Sequence, residues 1–278
     1  MVATPIGNLA DLSLRALHVL ALVDLVACED SRVTRQLLHH FALDRPLLPL
    51  HRHNEREAAA AVLQQLARGS RVAYASDAGT PALSDPGAAL VRAVTAEGFR
   101  VVPIPGPSAV TAALSVAGDA TGGGFRFCGF APHRGPERLR ALQAACASAD
   151  AQVWFEAPHR IATLAATWAV HAGARRLTVC RELSKQFESV ATMTASELPA
   201  WLGADPQRTR GEFVLVLHAT TEAAGTETDA AGAHALEILL TELPLKQAVS
   251  LASRISGSSR KALYALALRS RADDDAGR

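Results

Sequence analysis

The stretch that decides the fold runs from residue 71 to residue 87 and reads RVAYASDAGTPALSDPG. Its first five residues form a short apolar run of the kind that fills a buried strand, and the remainder is a loop rich in Gly, Pro, Ser and Asp. The loop leads into residues 86–97, where apolar residues recur at helical spacing. A buried strand, a loop of small residues and a helix make up the repeating unit of a parallel α/β sheet.

The same unit recurs on both sides of this stretch. Further strands are predicted at residues 24–28, 100–103, 125–129, 151–155, 177–181 and 212–217. Helices are predicted between them at residues 31–41, 55–68, 136–147 and 158–171. The sequence therefore predicts an α/β fold of two domains, with a mostly parallel N-terminal sheet flanked by helices and a second α/β domain after it.

Composition divides the chain into four parts. We predict an N-terminal α/β domain at residues 1–110 that contains the ligand cleft, and a second α/β domain at residues 111–220. Residues 221–233 are small, polar and acidic without an apolar period, which is typical of a linker. A helical appendage follows at residues 234–270, with helices on both sides of Gly257. This pattern is compatible with a helix-turn-helix motif and equally with a plain helical hairpin.

Charge and cysteine content narrow the class of protein. The 278 residues include 28 Lys and Arg against 27 Asp and Glu, so no basic field extends over the whole chain, although a local patch is still allowed. Three of the 28 are lysines, so phosphate contacts would fall mainly to arginine, whose planar fork binds phosphate in a bidentate manner. The four cysteines are scattered without a C-x-x-C pair, and no signal peptide or membrane-length apolar run is present. We therefore expect a cytoplasmic protein without a metal site or a membrane segment.

Loops of small residues follow the predicted strands at four places. They read TPIGNL from Thr4, SDAGTP from Ser76, PGPSA from Pro105 and EAPHR from Glu156. One such loop alone is usually ordinary turn chemistry. Four of them at the carboxyl ends of parallel strands predict a small-molecule site at the edge of the sheet. The motifs G-x-G-x-x-G and G-x-x-x-x-G-K-[ST] are both missing from the sequence, so a nicotinamide dehydrogenase or a P-loop protein is poorly supported.

These loops and their neighbours together resemble a known family. The shared blocks are TPIGNLADLSLRAL, DLVACEDSRVT, HRHNE, SDAGTPALSDPG, VVPIPGPSAVTAAL, GFAPHRGPER, FEAPHRI, CRELSK, GEFVLVL and LPLKQAVSLAS. Almost from end to end, the chain resembles the ribosomal RNA small subunit methyltransferase I family of the tetrapyrrole methylase superfamily. The resemblance implies a homodimer with S-adenosylmethionine in the cleft between the two α/β domains. It also implies 2′-O-methylation of a cytidine ribose in small-subunit (16S) ribosomal RNA, either free or in the assembled small ribosomal subunit.

The resemblance also places the cofactor contacts. PIGNL stands where the superfamily has its glycine-rich first loop, and SDAGTP with SDPG stands where it has a glycine-aspartate-proline loop. The implied cofactor-binding residues are Pro5, Gly7, Ser76, Asp77, Ala78, Gly79, Thr80, Asp85, Gly106, Pro107, Ser108 and Ala109. The chain departs from the family in two respects: only residues 1–3 precede the first loop, and Arg134 and Arg138 stand where the family tends to carry lysine.

Methyl transfer to a ribose hydroxyl requires an oriented acceptor and a base that takes its proton. Orientation can contribute about 7–11 kcal/mol, and a positioned base about 10²–10⁴-fold in rate. The candidates for that base are Glu29, Asp30, His51, His53, Glu156, Glu182 and Lys185. We favour Glu29 and Asp30 as the catalytic residues, because they follow a short strand in the expected cleft. The carboxylates could equally pair with nearby arginines, and the histidines could stack on the target base.

Contacts with RNA are expected from basic and histidine side chains near the same loops. The candidates are Arg32, Arg35, Arg52, His53, Arg134, Arg138 and Arg160. Two other functions stay open on the residues alone. One is methylation of a tetrapyrrole or another small molecule within the same superfamily. The other is a ligand-sensing regulator that reads DNA with the helical appendage.

Overall fold

The computed structural model describes six segments of the chain: residues 1–51, 54–83, 87–119, 124–133, 135–220 and 230–276. The side chains of residues 230, 231 and 269–276 are not described. Four candidate site residues lie outside the described segments, namely Arg52, His53, Asp85 and Arg134. Residues 221–229 of the predicted linker also lie outside them.

The first sheet has three parallel strands in the order β2-β1-β3. β1 spans Leu25–Cys28, β2 spans Leu47–Pro49 and β3 spans Val72–Ala75. The helices of this half are α1 (Leu14–Leu22), α2 (Ser31–His40), α3 (Glu55–Ala67) and α4 (Ala88–Ala96). The predicted alternation of parallel strands and helices is confirmed. The sequence patterns did not predict α1 or the short β2.

The chain start lies along one edge of this sheet. Val2 forms parallel bridges with both Ala75 and Ile104, and the Ile104 N–H donates to the Met1 carbonyl at 2.8 Å. A regular strand was predicted at residues 100–103, and that prediction is wrong: the structure has a single bridge, at Ile104. Among the described residues, Val2 alone bridges to this segment, so no ladder of consecutive bridges forms.

The second sheet has five strands in the order β4-β5-β8-β6-β7. They are β4 (Phe125–Phe130), β5 (Ala151–Glu156), β6 (Arg176–Arg181), β7 (Ser189–Thr194) and β8 (Phe213–Leu217). β4 and β5 are parallel, and the other pairs are antiparallel. β7 was not predicted, because this half-exposed edge strand consists largely of small and polar residues.

Four helices accompany the second sheet: α5 (Ala109–Ala117), α6 (Gly135–Ala147), α7 (Ile161–His171) and α8 (Leu198–Gly203). The buried face of α5, which includes Val110 and Ala113, packs against Val153, Val214 and Val216 of the second sheet. The chain therefore passes from the first sheet to the second through the PGPSA loop at residues 105–109.

The appendage consists of α9 (Ala230–Glu242), α10 (Leu245–Ser256) and α11 (Arg260–Ala276). Gly257 ends α10 in the left-handed region with φ 74°, as expected for a glycine at this position. The three helices enclose a small core of their own, formed by Leu236, Ala248, Ala252 and Leu263 among others. α9 begins four residues before the predicted start at 234, so residues 230–233 are helical and do not belong to a linker.

Candidate active site

A cavity of about 390 Å³ opens between the two sheets. The first wall comes from the loops after β3 and before α5, and the second from the carboxyl ends of β4 and β5 with the start of β8. Its lining residues are Ile6, Ala78, Gly79, Thr80, Leu83, Ser108, Ala109, Val110, Phe130, Phe155, Glu156, Ala157, Pro158, Leu183, Glu212, Phe213 and Val214. The volume falls in the range of about 300–1,000 Å³ that is usual for small-molecule sites.

Hydrogen bonds between two loops shape the first wall. Thr4 and Gly79 exchange two backbone hydrogen bonds of 3.0 Å, and the Thr4 hydroxyl donates to the Ser76 carbonyl at 2.9 Å. The Ser76 hydroxyl donates to the Gly79 carbonyl at 2.6 Å. Gly79 has φ +82°, a conformation that favours glycine. Because Thr4 and Ser76 are buried, these bonds fix the loop so that residues 78–80 face the cavity.

The N-terminus of α5 forms one end of the cavity. Ser108 occupies the N-cap position, but its side chain makes no capping hydrogen bond, and Ser108, Ala109 and Val110 all line the cavity. The first turn of a helix has backbone N–H groups without intrahelical partners and a partial positive charge. This end of the cavity therefore suits an anionic group such as a carboxylate.

The second wall is largely apolar. The rings of Phe130 and Phe155 pack edge to face with centroids 5.5 Å apart, and Pro158, Phe213 and Val214 complete the surface. The fourth small-residue loop contributes Glu156, Ala157 and Pro158, as the sequence pattern indicated. The aromatic residues were not predicted, although their position at strand ends is visible once the strands are placed.

Glu156 is held in a buried ion-pair cluster. Arg138 Nη2 lies 2.8 Å from Glu156 Oε2, and Arg160 Nε lies 2.6 Å from Glu156 Oε1. Oε1 also accepts the Ala157 N–H at 3.0 Å, so both carboxylate oxygens are occupied and Glu156 is a poor candidate for the base. Arg138 and Arg160, two of the candidates for contact with RNA, are only 7% and 9% exposed. Pairing with a buried carboxylate draws them inward.

Lys185 lies in a second ion-pair cluster at the edge of the cavity. Its Nζ is 2.9 Å from both Glu182 Oε1 and Glu212 Oε2. Burial lowers the pKa of Lys185, but hydrogen bonds to the two glutamates outweigh it and leave the pKa above its ordinary value. A lysine that stays protonated cannot take the acceptor's proton, so Lys185 is also a poor candidate for the base.

The favoured pair Glu29 and Asp30 follows β1, and both side chains are half-buried. Asp30 is the N-cap of α2: it accepts the Arg32 backbone N–H at 2.8 Å and binds the Arg32 guanidinium at 2.6 Å. These hydrogen bonds lower the pKa of Asp30 to about 2, which makes it a weak proton acceptor. Asp77 accepts the Asp30 N–H at 2.9 Å, and burial raises the pKa of Asp77. Electrostatics therefore favour Asp77 over Asp30 as a base.

The remaining cofactor-binding and RNA-binding candidates lie in a neighbouring groove, in the loops beside the main cavity and on α2. Gly106 and Pro107 line a neighbouring groove of about 560 Å³, which shares Ile6 and Ser108 with the main cavity. Four implied cofactor residues do not line the main cavity but belong to the same loops as the lining residues Ile6 and Ala78, namely Pro5, Gly7, Ser76 and Asp77. Arg32 and Arg35 are exposed on α2, and the Arg32 guanidinium is bound to Asp30.

Two absences apply to the described segments. Within residues 1–51, 54–83, 87–119, 124–133, 135–220 and 230–276, no three His, Cys, Asp or Glu side chains converge as a metal site would require. No helix in that part of the chain has the length and apolar character needed to cross a bilayer.

Comparison with known proteins identifies the family. Residues 1–199 match the family described as Tetrapyrrole (Corrin/Porphyrin) Methylases, and residues 226–271 match the RsmI C-terminal HTH domain. Solved structures with a similar fold include cobalt precorrin-4 methyltransferase, with a TM-score of 0.59 and 16% identity over 77% of this chain and 92% of that one. Diphthine synthase has a TM-score of 0.59 and 15% identity over 78% of this chain and 88% of that one. At these identities the likeness concerns the fold alone.

Sequence relatives named Ribosomal RNA small subunit methyltransferase I are much closer. The protein of Neisseria meningitidis serogroup B is 46% identical, covering 96% of this chain and 92% of its own length. The protein of Pseudomonas aeruginosa is 45% identical over 96% and 95%, and that of Escherichia coli O157:H7 is 42% identical over 96% and 93%. The chain therefore belongs to the tetrapyrrole methylase family and, within it, to the ribosomal RNA small subunit methyltransferase I family.

Proposed function

We propose that this chain transfers a methyl group from S-adenosylmethionine to the 2′-hydroxyl of a cytidine ribose in 16S ribosomal RNA. The observation that carries the proposal is how far the similarity extends. The structurally similar cobalt precorrin-4 methyltransferase and diphthine synthase cover 77% and 78% of the chain, whereas relatives named for ribosomal RNA cover 96%, including the helical appendage. This favours an RNA substrate over a tetrapyrrole, and a methyltransferase over a DNA-binding regulator.

The cavity between the sheets fits the cofactor. S-adenosylmethionine supplies a methyl group already activated on a sulfonium sulfur. Residues 78–80 would approach it closely because their loop is fixed by Thr4 and Ser76. The N-terminus of α5 at Ser108 and Ala109 suits a carboxylate, and the apolar wall with Phe155 suits an aromatic base. A similar structure, uroporphyrin-III C-methyl transferase from Thermus thermophilus, is complexed with S-adenosyl homocysteine, with a TM-score of 0.53 and 17% identity over 77% of this chain and 94% of that one.

The protein's own chemical task is to position the ribose and remove one proton. We assign the proton to Asp77, which directly precedes the lining residue Ala78 and accepts the Asp30 N–H at 2.9 Å. Burial raises the pKa of Asp77, whereas the pKa of Asp30 is lowered to about 2. Asp30 then acts as a positioning residue: its backbone N–H binds Asp77 Oδ1, and its side chain caps α2. Glu156 and Lys185 stabilise the second wall through their ion pairs.

The wider proposal includes a homodimer that acts in the cytoplasm on 16S RNA, free or within the small subunit. Exposed apolar side chains on neighbouring elements support a dimer contact: Val116 of α5 and Val190 of β7 are 49% and 41% exposed and line the same groove. Sedimentation of the full chain would test this point, because a monomer at micromolar concentration contradicts the dimer.

The function is tested with the full chain and radiolabelled S-adenosylmethionine. Small ribosomal subunits that lack the modification, naked 16S RNA and a reaction without RNA are compared in parallel. We expect label in RNA that depends on the chain. Binding of S-adenosylmethionine without label in either RNA would leave the fold and cofactor in place and contradict the proposed acceptor.

A further inference from the structure

The second domain buries more positive than negative charge beside the proposed active site. Arg138 and Arg160 both bind Glu156, at 2.8 and 2.6 Å, and all three residues are more than nine-tenths buried. Two guanidiniums share one carboxylate, so the cluster keeps one positive charge in excess. A buried charge without a counter-charge is costly, and a bound anion would remove that cost.

A cavity of about 510 Å³ opens directly onto this cluster. The polar residues that line it are His133, Arg138, His159, Arg160, Thr163 and Thr167. No carboxylate is among the described residues that line this cavity, since Glu156 faces the main cavity instead. The excess charge is therefore accessible from this side.

The contact between Arg160 and His133 indicates which ring nitrogen of His133 carries the proton. Arg160 Nη1 lies 3.2 Å from His133 Nδ1. A guanidinium can only donate, so Nδ1 must accept, and we assign the proton of the neutral imidazole to Nε2. His133 is exposed, so its Nε2–H is available to a ligand. The groups around the cavity therefore offer hydrogen-bond donors and positive charge, which suit an anionic ligand that accepts hydrogen bonds.

We infer that this cavity binds a phosphate group, supplied by a polynucleotide or by free phosphate. Phosphate oxygens accept hydrogen bonds without donating, and their charge would balance the excess on Arg138 and Arg160. The site adjoins the proposed active site, because the Arg160 guanidinium lies 5.8 Å from the ring centroid of Phe130, which lines the main cavity. The inference rests on the proposed function for its biological ligand, which is a phosphodiester close to the target ribose.

Charge reversal at Thr163 tests the site without disturbing the buried cluster. Thr163 is an exposed residue of α7, so Thr163→Glu places a carboxylate in the cavity and leaves the ion pairs intact. Thr163→Gln controls for size. Ala162→Glu adds the same charge at the next exposed position of the helix, which does not line the cavity.

Two probes distinguish the source of the phosphate. A fluorescein-labelled single-stranded oligoribonucleotide is titrated with each full-length variant, and inorganic phosphate is tested for its effect on the melting temperature. We expect T163E to weaken oligoribonucleotide binding about tenfold or more, because a charge-assisted contact is lost. T163Q and A162E should weaken it by about twofold or less. In a second outcome, phosphate raises the melting temperature of the wild type but not of T163E, and both proteins bind the oligoribonucleotide equally well. This outcome assigns the site to free phosphate.

Equal effects of T163E and A162E, or no effect of T163E on either probe, would overturn the inference. Failure of the proposed function is separate from this result. If the wild type methylates no RNA while T163E still loses phosphate or oligoribonucleotide binding, the phosphate site stands and the methylation of RNA does not.

Discussion

The stem of Lys185 lies directly against the α-carbon of Gly7, so a turn of the second domain rests on the first loop of the first domain. A β-carbon on Gly7 would overlap Lys185 Cγ and lie 3.1 Å from the Leu183 carbonyl. The neighbouring Ser184 hydroxyl donates to the Asp11 carboxylate. Glu182 and Ser184 have φ values of 52° and 69°, which are strained for residues other than glycine. These contacts hold the two walls of the main cavity together, since Ile6 and Leu183 both line it.

Gly7→Ala should therefore weaken cofactor binding by disturbing this contact. Overpacking costs about 1–3 kcal/mol, which corresponds to roughly 5- to 140-fold in Kd. Removing the opposing stem with Lys185→Ala in the Gly7→Ala background should restore part of the affinity. Calorimetric titration with S-adenosylmethionine measures both effects. Gly203→Ala is the control, because a β-carbon there has no neighbour within 4 Å. Strictly additive losses in the double variant would show that the two residues do not interact.

Replacing Asp77 by asparagine and replacing Asp30 by asparagine should have different effects on kcat. Asp77→Asn is expected to lower kcat by about 10²-fold or more, because it removes the proton acceptor. Asp30→Asn keeps a side-chain oxygen at the N-cap and should change kcat far less. Activity of the wild type should fall at acidic pH as Asp77 becomes protonated, since the pKa of Asp77 is raised above its ordinary value.

The same pair of variants tests the alternative assignments. The family resemblance implies a cofactor contact for Asp77, which predicts a weaker Kd for S-adenosylmethionine in Asp77→Asn with kcat retained at saturation. If Asp30→Asn lowers kcat as much as Asp77→Asn does, Asp30 is the better candidate for the base.

His218 should make stability depend on pH. The side chain is 3% exposed with Nε2 2.8 Å from the Thr178 hydroxyl, and burial lowers its pKa below the ordinary 6.5. The unfolded chain then binds more protons than the folded one between the two pKa values. The stabilisation is therefore fully present above pH 6.5 and is lost as the pH falls toward the folded pKa. Urea unfolding at pH 7.5 and at about pH 5.5 should show a larger loss for the wild type than for His218→Gln. An equal loss in both proteins would exclude His218 as the cause.

The appendage should contribute to RNA binding through its basic groove. Lys246, Arg260 and Lys261 are exposed and line a shallow groove with Tyr264 between α10 and α11. The double variant Lys246→Ala with Lys261→Ala should lower affinity for 16S RNA and reduce the slope of log K against log salt by about 2. Arg92→Ala with Arg100→Ala removes the same charge from exposed positions of the first domain. Identical salt slopes for the two double variants would argue against a specific role for the appendage.

Several residues that line the main cavity could be predicted from the sequence pattern. Residues 78–80, Ser108 and Ala109 were expected from small residues after strands, and they line the cavity. Phe130 was missed, because an apolar residue at the end of a strand has the same pattern as a core residue. The burial of Arg138 was missed for a different reason: its partner Glu156 is 18 residues away, and the sequence does not show which carboxylate an arginine will meet. The role of Asp30 could have been found, since aspartate immediately before a helix is a usual N-cap.

The identity of the methylated nucleoside tests directly whether this chain methylates a cytidine ribose in 16S RNA. The full chain is incubated with radiolabelled S-adenosylmethionine and small subunits that lack the modification, and the RNA is digested to nucleosides that are separated and counted. We expect the label to elute as 2′-O-methylcytidine, and we expect Asp77→Asn to abolish it. Label on a base, on another nucleoside or on protein, with the cofactor bound normally, would contradict the proposed function.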